Sequence, residues 1–184
     1  MNHSHQRGIT LIEVLIAMMV MGIGLIGVAA MQTTALSNNQ SSMEYAAVAA
    51  LTQGMVERMR ANRDAVIANQ YLVASGQPGN PAANCATTTC TSAQQAAWDI
   101  ASWYLAASST AYAPAANYGN VGISSRANLG GVRVAITCEA TPCNAEDVRV
   151  VTLYWDSRRR NATGTGCDPM NEADLACFRL PFVP

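Results

Sequence analysis

Glu13 is a lone carboxylate in the run at residues 9–31, which is otherwise apolar apart from Thr10. A carboxylate inside a membrane span costs about 2.5–3.5 kcal/mol on insertion scales, so it persists only with a partner or near an interface. The chemistry open to it there is ion pairing with an amine brought alongside in a low-dielectric medium. Its plainer role is snorkelling to the headgroups, which its place near the start of the run permits.

The other residues able to do chemistry narrow the field by what they lack. Both histidines, His3 and His5, stand within the first five positions, so a chain trimmed beyond them has no imidazole for acid–base work or metal ligation. All eleven basic residues are Arg, and without Lys there is neither a Schiff base nor a Walker-type phosphate loop. Asp156 with Asp168 is a carboxylate pair that no motif positions for hydrolysis. Asp168, Asn171, Glu172 and Asp174 offer oxygen ligands for Ca2+ but lack the spacing of a calcium loop, and read as a solvated loop. The expectation is a protein that is no enzyme, with no cofactor and no metal.

Six cysteines fall in three close pairs behind the apolar run, which fits an oxidising compartment. Their spacings match neither zinc knuckles nor a redox CxxC. Short separations are entropically easy to close and each pair brackets a loop, so the predicted disulfides are Cys85–Cys90, Cys138–Cys143 and Cys167–Cys177 among the many pairings that six cysteines allow.

The elements that must position these residues follow from composition and period. The chain has 184 residues, 50% of them hydrophobic and 12% charged, with a net charge of −1. That is one compact domain averaged with a membrane segment, with no bulk positive field to hold nucleic acid. At about 1.5 Å per residue, the run at 9–31 reaches across a hydrocarbon core of about 30 Å. A removable secretory signal fits poorly, because only MNHSHQRG precedes the run, with Arg7 its one firm charge, and the run exceeds the usual length. Arg7 on one side and no basic residue from Met31 to Arg58 on the other put the N-terminus in the cytoplasm.

No proline precedes Pro78, and Leu36, Met43, Ala47, Ala50, Leu51, Met55 and Met59 recur at helical steps, so the helix is predicted to continue as an amphipathic rod to about Asn69, roughly 90 Å in all. Glu57, Arg60 and Asp64 lie on its solvated side. Residues 75–91 are rich in Gly, Pro, Asn and Thr and read as a loop pinned by Cys85 and Cys90. Ser92 with Gln95 is a capping-box signature, opening a helix whose face is Ala93, Ala97, Ile100, Ala101, Tyr104 and Leu105, with Trp98 and Trp103 as core or interface anchors. Val132, Val134 and Ile136, and later Val148, Val150, Thr152 and Tyr154, alternate with Arg133, Ala135 and Thr137, and with Arg149, Val151, Leu153 and Trp155, as two strands do. Arg158, Arg159 and Arg160 read as a solvated turn in preference to an anion site, since no helix N-terminus follows. The tail from Cys167 is a disulfide-held loop ending in a short strand through Phe178 and Leu180.

Gly8 followed by Ile9-Thr10-Leu11-Ile12-Glu13-Val14-Leu15 closely resembles the type III prepilin signal, and the chain is identified as a member of the type IV pilin family. The resemblance implies cleavage by a prepilin peptidase after Gly8, N-methylation of Ile9, and use of Glu13 to set subunit register against a neighbour's new amine. It implies an α+β fold, with the long N-terminal helix, transmembrane and then amphipathic, packed on a small antiparallel sheet head with disulfide-held loops. The expected organisation is a leader at 1–8, a transmembrane half-helix at 9–31, an amphipathic half at 32–69 and a periplasmic head at 70–184. Ile9 departs from the family's usual Phe. Gly22, Gly24 and Gly27 fall where pilin helices loosen on assembly, and the proline common in major pilins is absent, which favours a minor subunit.

The order of Asn84-Cys85, Trp98-Asp99, Trp103, the strand at 148–156 and Cys177-Phe178-Arg179 is similar to minor pilins of type IVa pili. A type II secretion minor pseudopilin of the I type shares the plan, though such proteins are commonly cysteine-poor, and a tip adhesin is a further alternative. The expected partners are the prepilin peptidase, other minor pilins, the major pilin and, before assembly, inner-membrane lipid, with no nucleic acid and no small-molecule substrate. The expected place is the inner membrane, then the pilus.

Overall fold

A chain without proline before Pro78, filled with Leu, Ile, Met, Val and Ala, has nothing to interrupt a helix near its start. The computed structural model describes residues 10–108, 127–168 and 170–184. In it α1 spans Leu11–Ala61. The chain divides into two units, Met1–Ser42 and Met43–Pro184. In the first, the described residues are helical from Leu11 onward and exposed throughout. Several of its hydroxyls bond within the helix: Thr33 and Thr34 both donate to Ala30 O, and Ser41 donates to Ser37 O.

In the second unit, α1 buries Val48, Thr52, Met55, Val56 and Met59, a stripe at three- and four-residue steps. The helix does not run on to residue 69 as its periodicity predicts. It ends at Ala61, and α2, Arg63–Ile67, follows. The cause is tertiary. Asn62, at φ −119° and ψ 54°, turns its amide outward to donate to Ser92 O at 2.9 Å and the Tyr71 hydroxyl at 3.2 Å.

A short strand, β1 (Val73–Gly76), precedes the loop that carries Cys85 and Cys90, so the loop reading that begins at Ser75 is corrected there. The second helix, α3, spans Ser92–Ala107 and is capped one residue earlier than predicted. Thr91 Oγ1 accepts from Gln94 N, and the Gln94 side chain accepts from Thr91 N, because Gln95 is drawn instead to Asp99. Its core face also shifts: Ala93 is exposed, whereas Ala96, Ile100, Trp103, Tyr104 and Ala107 join the main core.

Three longer strands complete an antiparallel sheet in the order β1-β2-β3-β4: β2 Arg133–Cys138, β3 Arg149–Trp155 and β4 Ala176–Phe182. One sheet face, with Val134, Ile136, Val151, Leu153 and Trp155, forms a single core with the α1 stripe, α2 and α3. On the other, Ala135 and Tyr154 pack with Leu175, flanked by Ala162, Cys167 and Cys177, so the chain following β3 folds back over the sheet. β1 and β4 are the edges. β1 is four residues long with a register shift, and β4 carries Pro181, which has no N–H to donate, beside exposed Arg179.

Disulfides join Cys85 to Cys90, Cys138 to Cys143 and Cys167 to Cys177, with Cα separations of 5.6, 5.8 and 5.5 Å. Each closes a loop beside a core element. Cys85, for example, packs on Trp98, Ala101 and Leu105.

Candidate assembly segment and the polar sites of the head

Glu13 lies in the first turn of α1, exposed, where a carboxylate also complements the positive end of the helix dipole. Its amide donates to Thr10 O at 3.1 Å. Among the described residues its carboxylate has no hydrogen-bond or ionic partner. Around it Leu11, Ile12, Leu15 and Ile16 are more than half exposed. The most apolar 18-residue window of α1 has a mean hydropathy of 2.5 and buries none of its residues, so the helix is long and apolar enough to cross a membrane. Gly22, Gly24 and Gly27 have open space where a Cβ would stand. Gly8 and Ile9 lie outside the described residues.

In the head, Asp156, Asp168, Glu172 and Asp174 line one cleft with Tyr45 and Arg158. The carboxylates are occupied by their own loop. Asp156 Oδ2 accepts from Asn161 N at 2.7 Å, Asp168 Oδ1 from Met170 N at 2.8 Å, and Asp174 Oδ2 from Asp168 N at 3.3 Å. Asp156 and Asp168 thus brace turns, and nothing aligns them about a shared substrate atom. Of the arginine run, Arg160 pairs with Glu172 at the surface and Arg159 adopts a left-handed φ of 52°. Trp98 and Trp103 are both buried, as core anchors are.

Two polar features escape the sequence reading. The first joins α1, Tyr71 and α3. The Tyr71 hydroxyl donates to Asp99 Oδ2 at 2.6 Å, Gln95 donates to Asp99 Oδ1 at 2.9 Å, and Arg58 donates to Ser102 Oγ at 2.6 Å with Asp99 at 3.9 Å. Burial first, and the Asp99 hydrogen bond second, push the Tyr71 hydroxyl well above its ordinary pKa of 10.0. The second is Arg149, which is 0% exposed. It shares the inward face of β3 with Val151, Leu153 and Trp155, so the alternation already noted in β3 was the signal that could have found it.

A long exposed apolar helix bearing one carboxylate near its start, joined in sequence to an α+β head with disulfide-held loops, defines a pilin-type subunit. Residues 3–29 match the family model of the prokaryotic N-terminal methylation motif, and residues 30–101 match that of Type IV pilin Tt1218. The chain is a member of the type IV pilin family, a structural family, and the methylation motif implies processing by a prepilin peptidase and assembly with other pilins. No curated protein and no solved structure matches it.

Proposed function

We propose that this chain is a minor pilin, similar to PilV, which joins other minor pilins in a complex that primes the pilus and lies near its tip. The observation that carries the reading is the sequence Gly8 to Leu15, with Glu13 five residues beyond Gly8, set on an exposed apolar helix that leads into the pilin match. A minor role is supported by the lack of proline before Pro78 and by the three disulfides of the head. The helix holds the subunit in the inner membrane, N-terminus in the cytoplasm and head in the periplasm, as Arg7 and the disulfides favour. The peptidase cuts between Gly8 and Ile9 and the new amine of Ile9 is methylated. That amine, cationic at neutral pH with an unperturbed pKa near 8, is the counter-charge that a neighbour's Glu13 requires.

Removing the first eight of 184 residues leaves 176, and the formal charge moves from −1 to −2 as Arg7 departs. Intact mass of pilus-associated protein reads this directly, and Gly8→Ala should leave the precursor whole. A deletion strain should lose surface pili while type II secretion continues. Normal piliation with a secretion defect would assign the chain to the pseudopilins, and loss of adhesion alone would make the head an adhesin.

A further inference from the structure

Arg149 is a fully buried cation that meets no carboxylate oxygen among the described residues. Its Nη1 donates to two carbonyls of the loop between β2 and β3, Asn144 O at 2.7 Å and Asp147 O at 2.5 Å. Its Nη2 donates to Val66 O at 3.5 Å and to Asn69 Oδ1 at 3.2 Å, at the end of α2. Its Nε has no hydrogen-bond partner among the described residues. A buried charge is tolerated only while every dipole around it stays in place, so the two halves of this cage depend on each other.

The loop half is held by covalent chemistry. Cys138, directly opposite Arg149 in the β2–β3 register, is bonded to Cys143, the residue before Asn144. Cys143 O in turn accepts from Asn69 Nδ2 at 3.1 Å, so Asn69 touches both the guanidinium and the stapled loop. Asn69 holds this position with a left-handed φ of 59°.

From these contacts we infer that Cys138–Cys143 and Arg149 form a redox-sensitive latch between the β2–β3 loop and the corner joining α2 to β1. Closing it forms the Sγ–Sγ bond: two thiols give up two protons and two electrons to a disulfide acceptor, which leaves as its dithiol. Reduction by a dithiol reverses the step. With the bond open, residues 139–148 regain conformational freedom and the Asn144 and Asp147 carbonyls cease to be fixed acceptors. The guanidinium then holds only the α2 end, and the corner at residues 66–73, far from the disulfide in sequence, loosens with the loop. Among the described residues, neither of the other two disulfides has such a tie to the corner.

Hydrogen–deuterium exchange on the detergent-solubilised full chain tests the coupling. Cys138→Ser with Cys143→Ser should accelerate exchange about tenfold or more both in residues 139–148 and in residues 66–73, while Cys85→Ser with Cys90→Ser leaves the corner unchanged. In an Arg149→Met background, where only the Asn69 amide still ties the corner to Cys143 O, losing the Cys138–Cys143 bond should loosen the corner much less than it does in the parent. Asn69→Gly, which suits the left-handed backbone and removes both side-chain ties, leaves only the 3.5 Å contact of Arg149 with Val66 O, so it should weaken the coupling in the same way and carries the comparison if Arg149→Met does not fold. The latch is overturned if the corner is unmoved by loss of Cys138–Cys143, or if it loosens equally in the uncoupling backgrounds.

Discussion

The Trp155 indole N–H donates to the Glu44 carboxylate at 3.3 Å, and the Tyr45 ring meets the Trp155 ring edge-on at 4.8 Å, so the end of β3 is fixed to α1 by one polar and one aromatic contact. Trp155 is also completely buried. Trp155→Ala should destabilise the head by about 3–5 kcal/mol. Trp155→Phe, which keeps a ring but loses the donor, should cost less, with about 1 kcal/mol of it from the hydrogen bond. Denaturant unfolding of the two variants reads the difference, and a Trp155→Phe head as stable as the parent would show that the indole N–H contributes nothing.

Tyr71 carries a pH signature. Its folded pKa is raised above 10.0, so its contribution to stability is complete below that value. As the pH climbs past about 10 the unfolded chain ionises while the folded one stays protonated, and this stability is progressively lost. Tyr71→Phe should flatten that part of the alkaline slope, and at neutral pH should cost about 1–3 kcal/mol for leaving Asp99 short of a donor. An unchanged slope above pH 10 would mean that Tyr71 ionises in the folded head as freely as in the unfolded chain.

Gly164 and Gly166 lie so close to the Asp174 carboxylate that a Cβ on either would collide with it. Gly164→Ala should displace Asp174, break the bridge between residues 164 and 174 and lower stability by about 1–3 kcal/mol. Asp174→Ala should relieve the clash, so adding Gly164→Ala to it should cost much less. Additive losses in a double-mutant cycle would show that the backbone, and not the carboxylate, excludes the methyl group.

Glu13→Val replaces a costly group in lipid with a favoured one, so insertion and processing should be unimpaired while recruitment of partner pilins fails. Co-purification of partners and a count of surface pili, with membrane levels as control, give the answer. Assembly at the parental level would leave Glu13 as a side chain that merely reaches for the headgroups.

Residues 8–15 are legible in the sequence because a processing signal is read along the chain and needs no fold, and the methylation match spans them. β2 and β3 are legible through β-branched alternation, and the long helix through its period as far as Ala61, whereas β1 lies where the sequence reads in part as a loop. What escapes is set by contacts distant in sequence. Nothing local distinguishes Ser92-Gln95 from Thr91-Gln94 as a cap until Asp99 claims Gln95. Nothing near Asn62 announces that Tyr71 and Ser92 will take its amide. Arg149 is the instructive case: its parity in β3 already places it with Val151 and Leu153, but its charge argues against burial until carbonyls from two other segments surround it.

Pro181 bears on how a subunit of this family can be stored. Membrane-held copies share a thin layer at high local concentration, where an open strand edge would zip one sheet to the next and draw the pool into a dead-end aggregate. With a proline and a charged neighbour on one lip and only a short, irregular strand on the other, the sheet offers no adhesive rim. Neither lip therefore invites the sheet of one copy to extend into the sheet of the next.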